Sequence, residues 1–70
     1  MKNTKLSKAR IDAGITQAQV AREVGITELA YQNYEAGRRV PRVDVAIKIA
    51  DALGVTVKDI FSDNGRESIR

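Results

Sequence analysis

Residues 17–36 read QAQVAREVGITELAYQNYEA, and this stretch decides the fold. Two runs of about eight residues carry apolar side chains at helical spacing, with Gly25 between them. A sharp angle between two short helices needs a residue that tolerates positive φ, and glycine supplies it. Ala21 falls where the two helices would cross, and its small side chain permits close approach. Val20, Val24, Ile26, Tyr31 and Tyr34 are placed to hold the second helix of the pair on a core. Thr16 and Gln19 form a capping-box pattern before the first run, and Thr27 is a good N-cap for the second.

Outward from this pair, glycine and proline punctuate the chain into further short helices. One spans about Thr4 to Ala13, with Leu6, Ala9 and Ala13 as its apolar stripe and Gly14 as its end. The third helix ends at about Ala36, before Gly37. Arg38, Arg39 and Arg42 make a basic loop around Pro41, which disfavours helix at Val40. A fourth helix is expected over about Val43 to Leu53, with Val43, Ala46, Ile47, Ala50 and Leu53 facing inward. A short fifth helix follows Thr56, with Val57, Ile60 and Phe61 apolar. No period-2 pattern is long enough to indicate a strand. The fold class is therefore all-α, a compact bundle of five helices over residues 1–62. The polar residues 63–70 are expected to form a flexible tail.

Composition narrows the function. Seventy residues make one small domain. The chain has no cysteine and no histidine, which excludes disulfides and any thiolate or imidazole metal site, so neither metal nor cofactor is expected. No apolar run approaches a membrane span and no signal peptide is evident, so a soluble cytoplasmic protein is the expectation. The net charge is +3, and it is unevenly spread. Residues 1–42 hold eight basic against four acidic side chains, whereas residues 43–70 hold four against five. That asymmetry suggests a polyanionic partner for the first part. Catalysis without His or Cys would need paired carboxylates or an activated Ser or Lys in a cleft. The acids are scattered over separate helix faces, and an enzyme is not expected.

At 100° per residue, Glu28, Leu29, Gln32, Asn33 and Ala36 cluster on one side of the third helix, with Ala30, Tyr31 and Tyr34 on the other. The first side suits base edges. Gln and Asn can bond bidentately to adenine, Glu can accept from cytosine N4, and Leu29 or Ala36 can touch a thymine methyl. The same residue types also suit a plain solvated helix surface. The helix and turn that precede them favour the reading of DNA.

The ordered set Ile15-Thr16-Gln17-Ala18, Val20-Ala21, Val24-Gly25-Ile26, Tyr34-Glu35-Ala36-Gly37 and Pro41 resembles the phage-repressor type of helix-turn-helix family. The Cro and lambda-repressor DNA-binding domains belong to it. Residues 48–55 (KIADALGV) with Ile60-Phe61 are similar to its closing helices, so the resemblance runs from about Leu6 to Phe61. It implies an XRE-type transcriptional regulator, a homodimer on double-stranded DNA with two-fold symmetry. Glu28, Leu29 and Asn33 match base-reading positions, Gln32 a frequent helper, and Gln17 a position on the DNA backbone. Arg38, Arg39 and Arg42 fall in a loop that lies along the backbone, and Arg10 is a further backbone candidate. Arg10 and Glu35 also match an internal salt bridge, which makes Glu35 structural. Tyr31 stands where relatives carry Ile or Val, so its hydroxyl must find water or a partner. Arg42 replaces the usual Ser or Thr cap of the fourth helix, at a cost of ~1 kcal/mol.

Val55 and Val57 are the candidates for a dimer contact, while Phe61 is read as core. A chain ending near residue 70 leaves no room for a small-molecule ligand domain, so the expectation is a minimal repressor or controller. The alternative is a protein-interaction module or antitoxin-type partner on the same fold, working through the aliphatic surface at Val55 and Val57.

Overall fold

The computed structural model describes residues 2–61. Among them run five α-helices: α1 (Thr4–Ala13), α2 (Gln17–Val24), α3 (Glu28–Ala36), α4 (Val43–Leu53) and α5 (Val57–Phe61). The bounds coincide with the sequence expectation. The expected domain limit at residue 62 and the flexible tail over 63–70 lie outside the described residues.

Local chemistry fixes each end. The Asn3 side chain accepts from Leu6 N at 3.0 Å and starts α1. Thr16 and Gln19 cap α2 reciprocally, Gln19 N donating to Thr16 Oγ1 at 3.0 Å and Thr16 N to Gln19 Oε1 at 2.8 Å. Thr56 and Asp59 repeat the device at α5, and Thr56 holds the exposed Asp59 carboxyl below its usual value. Arg42 precedes α4 with no side-chain cap, as its residue type dictates. Helices α1 to α4 each end on a glycine in the left-handed conformation.

The core is aliphatic around one aromatic ring. Leu6, Val20, Tyr31, Ile49 and Ile60 are its largest fully buried side chains. Each comes from a different helix, so every helix is pinned by at least one residue. α2 packs against both α3 and α4, and α1 closes the bundle against α5. Asn3 ties the start of α1 to α3 and α5. Its Nδ2 donates to Ile60 O at 2.7 Å, and its backbone N–H donates to Glu35 O at 2.9 Å.

Two inward faces differ from expectation. On α4 the structure buries Ala46, Ile49, Ala50 and Leu53 and leaves Val43 and Ile47 exposed. The helix is apolar on two overlapping stripes, and the buried one lies roughly 50° around the axis from the expected one. Packing against α2 and α5 selects the stripe containing Ile49. On α1, Ala13 is exposed, Ala9 packs partly on the core, and Leu6 is the one buried residue. Among the described residues no helix is long and apolar enough to cross a membrane.

Candidate nucleic-acid interface

The α2–turn–α3 unit is held by its backbone. Gly25 has φ +86°, and both Gly25 N and Ile26 N donate to Ala21 O, at 2.9 and 3.0 Å. This closes α2 and redirects the chain at once. Thr27 Oγ1 then accepts from Ala30 N at 3.0 Å and starts α3. Ala21 is buried between the helices, and Ile26 and Tyr34 pack against the core from the turn and from α3. With Tyr31 anchoring one side of α3 in the core, the other side must face outward.

That outer side carries Glu28, Leu29, Gln32 and Asn33. Glu28 and Leu29 are exposed, and Gln32 and Asn33 are half-buried at their bases. Leu29 is 67% exposed, a large apolar side chain with no protein neighbour to cover it. The polar members pair in two groups. Gln32 Nε2 donates to Glu28 Oε2 at 3.3 Å, one helical turn apart. Arg38 Nη1 donates to Asn33 Oδ1 at 3.0 Å, across the end of the helix. Gln32 also faces a cleft of about 260 Å³ that it shares with Gln17, Lys2 and Thr4.

Beneath this side lies a buried polar cluster centred on Glu35, which is 8% exposed. Its Oε2 accepts from Arg10 Nε at 2.6 Å, and its Oε1 accepts from Ser7 Oγ and Gln17 Nε2, both at 3.0 Å. Burial pushes the Glu35 carboxyl up, but the Arg10 guanidinium and the donors around it outweigh this and hold it below the usual carboxylate value. Arg10 also donates from Nη1 to Ile15 O at 2.9 Å. The cluster joins α1, the start of α2 and the end of α3, so it sets how α3 projects. Glu35 thus forms the internal pair with Arg10 that the resemblance implied.

Arg10, a backbone candidate in the sequence, is turned inward by this arrangement: its guanidinium is held by Glu35 and Ile15, and its side chain is 16% exposed. Gln17 sits at the start of α2 but commits its amide N–H to Glu35, which leaves its carbonyl oxygen and the helix terminus to face outward. Tyr31 was expected to need a partner for its hydroxyl. Its Oη is buried with no hydrogen bond of acceptable geometry. Burial and the nearby Glu35 carboxylate raise its ionisation far above the ordinary tyrosine value, so it stays neutral.

The basic loop is open to solvent. Arg38, Arg39 and Arg42 are exposed, whereas Pro41 between them is buried and anchors the loop. Arg42 lies 3.6 Å from Asp44, an exposed pair. Arg39 forms no ion pair among the described residues. Val55 and Val57 are half-buried and pack on the core, so each offers only part of its surface to a partner. The more exposed apolar side chains nearby are Val40 at 85%, Val43 at 75% and Ile47 at 47%.

Sequence reasoning passed over Asn3, Ser7 and Lys2. Asn3 carried a legible signal, a good N-cap residue directly before a helical pattern. Ser7 and Lys2 join the site only through the fold.

Comparison with known proteins agrees with this geometry. The helix-turn-helix family matches residues 6–60. The chain is 38% identical over 56 residues, 80% of its length, to the cryptic phage CTXphi transcriptional repressor RstR of Vibrio cholerae serotype O1, of which those residues cover 50%. It is 33% identical over 64 residues, 91% of its length, to the uncharacterized HTH-type transcriptional regulator YqaE of Bacillus subtilis, covering 55% of that protein. It is 36% identical over 61 residues, 87% of its length, to the uncharacterized HTH-type transcriptional regulator MJ0272 of Methanocaldococcus jannaschii, covering 91% of it. The chain thus spans about half the length of RstR and YqaE. With the ordered motifs, the turn at Gly25 and this match over most of its residues, the chain belongs to the helix-turn-helix family of the phage-repressor, XRE type.

Proposed function

We propose that this protein binds double-stranded DNA in a sequence-specific manner and regulates transcription, with α3 lying in the major groove. One observation carries the reading. The side of α3 that faces away from the core bears an acid, two amides and an exposed leucine, on a helix fixed by a glycine turn and a buried ion-pair cluster. A rigid polar helix next to a loop of exposed arginines matches base edges flanked by phosphates. Arg39 and Arg42 contact the backbone beside the groove, Arg38 lies at the end of α3 against Asn33, and the start of α2 at Gln17 meets a phosphate with its free N–H groups. Glu28, Leu29, Gln32 and Asn33 read bases.

The protein acts as a homodimer. One recognition helix spans too few base pairs for useful specificity, and two copies on half-sites about 34 Å apart read one face of the duplex. Val55 and Val57 are the candidates for the contact. The family relatives named as transcriptional regulators, and RstR as a repressor, support regulation as the role. Selection of bound duplexes from a random library tests the proposal. It expects an enriched sequence with two-fold symmetry. Absence of any enriched sequence would contradict DNA reading, and a single unrepeated half-site would contradict the dimer.

A second reading has one observation in its favour. Val40, Val43 and Ile47 are exposed on the loop and first two turns of α4, a surface that a protein partner could cover. A protein-interaction module using that surface would show no salt-dependent binding to DNA.

A further inference from the structure

The two side-chain pairs on α3 divide its outer side into chemically different ends. Near the start of the helix, Glu28 and Gln32 are joined through Gln32 Nε2, which leaves the second Glu28 carboxylate oxygen and Gln32 Oε1 as acceptors. At the end of the helix, Arg38 Nη1 occupies Asn33 Oδ1. The groups left to Asn33 and Arg38 are then N–H donors: the Asn33 Nδ2 amino group and the rest of the guanidinium.

Asparagine reads adenine with both ends of its amide, Nδ2 donating to N7 and Oδ1 accepting from the N6 amino group. Oδ1 keeps a second lone pair, but an adenine amino group approaching it would meet the guanidinium, donor against donor. Guanine offers N7 and O6 instead, two acceptors that suit this pair of donors. At the other end, the acceptors of Glu28 and Gln32 suit a base with an exocyclic amino group, cytosine N4 or adenine N6. Leu29, exposed beside them, suits a neighbouring thymine methyl. Glu28 and Asn33 are five positions apart, about 7.5 Å along the helix. With bases about 3.4 Å apart, that separation is two to three steps of the duplex.

We infer that Arg38 is a specificity-determining residue: by holding Asn33 Oδ1 it turns an adenine-reading asparagine into part of a guanine-reading pair, opposite an acceptor end that selects cytosine or adenine two to three base pairs away. The inference rests on the DNA-reading role proposed above. It differs from the plain expectation that Asn33 pairs with adenine.

Duplexes are selected from a random library at low salt by the wild-type chain, by Asn33→Ala and by Arg38→Ala. Asn33→Ala identifies the position, as the one where preference is lost. At that position the wild type selects guanine over adenine by about tenfold. Arg38→Ala frees Asn33 Oδ1 and brings adenine level with guanine or above it. Arg38 is exposed, so the variant keeps the wild-type melting temperature. In a second arm, 7-deazaguanine at that position, which lacks the N7 acceptor, weakens wild-type binding at least about fivefold. Adenine at the Asn33 position of the wild-type consensus, an unchanged guanine preference in Arg38→Ala, or indifference to 7-deazaguanine there would each overturn the inference while leaving DNA reading intact. Enrichment of no sequence by the wild type would overturn both.

Discussion

Replacing Glu35 by alanine tests the scaffold under α3. Glu35 accepts three side-chain hydrogen bonds, from Ser7, Arg10 and Gln17, and is 8% exposed. Glu35→Ala leaves the Arg10 guanidinium, 16% exposed, with only the Ile15 carbonyl as partner. Breaking a buried ion pair by removing one member costs about 3–5 kcal/mol, most of it the stranded charge. A domain of this length is stable by roughly 4–10 kcal/mol in total, so the variant should be near the edge of folding. With an m-value of about 1 kcal/mol/M, the urea midpoint followed by circular dichroism should fall by about 3–5 M. Changing Arg10→Met as well removes the stranded charge and should restore part of the loss. A Glu35→Ala midpoint within about 1 M of wild type would refute the reasoning, because the cluster would then contribute no more than a surface pair.

The same carboxylate sets a pH dependence. Its folded pKa lies below the unfolded value of about 4.3, so its contribution is complete above that value. The contribution is lost as pH falls through the folded pKa, and wild-type stability should therefore drop more steeply below pH 4 than that of Glu35→Gln in matched urea titrations. Tyr31→Phe removes a buried hydroxyl that has no hydrogen bond, and the melting temperature should stay level or rise. A loss above about 1 kcal/mol would mean that the hydroxyl is bonded. Gly25→Ala meets no atom within 4 Å, so its cost is the left-handed backbone alone. That is about 1 kcal/mol, or a fall of roughly 4–8 °C in melting temperature. Arg39→Ala should weaken binding to every duplex alike and lower the slope of log K against log salt by about one. An unchanged slope would exclude that phosphate contact.

The helices were legible because each boundary carries its own chemistry. Glycines at 14, 25, 37 and 54 and threonines at 16, 27 and 56 mark ends that need no tertiary context. The buried face of α4 was not legible in the same way. Its sequence is apolar on two sides, and only contact with α2 and α5 decides that Ile49 goes in and Ile47 stays out. Arg10 carried two possible roles in sequence, and only the fold shows that its guanidinium sits against Glu35. The members of the outer side of α3 could be read from the helical period, since Tyr31 had to face the core. Their hydrogen bonding could not. Whether Asn33 faces outward with a free amide or one held by Arg38 depends on the path of the chain after Gly37, which no periodicity encodes.

Entry of α3 into the major groove can be read out by methylation interference on a selected duplex. Guanine N7 lies in the major groove and adenine N3 in the minor groove, so methyl groups at these atoms report on one groove each. With α3 in the major groove, N7-methylguanine within each half-site prevents binding. Interference confined to N3-methyladenine, with N7-methylguanine tolerated throughout the half-sites, would contradict it.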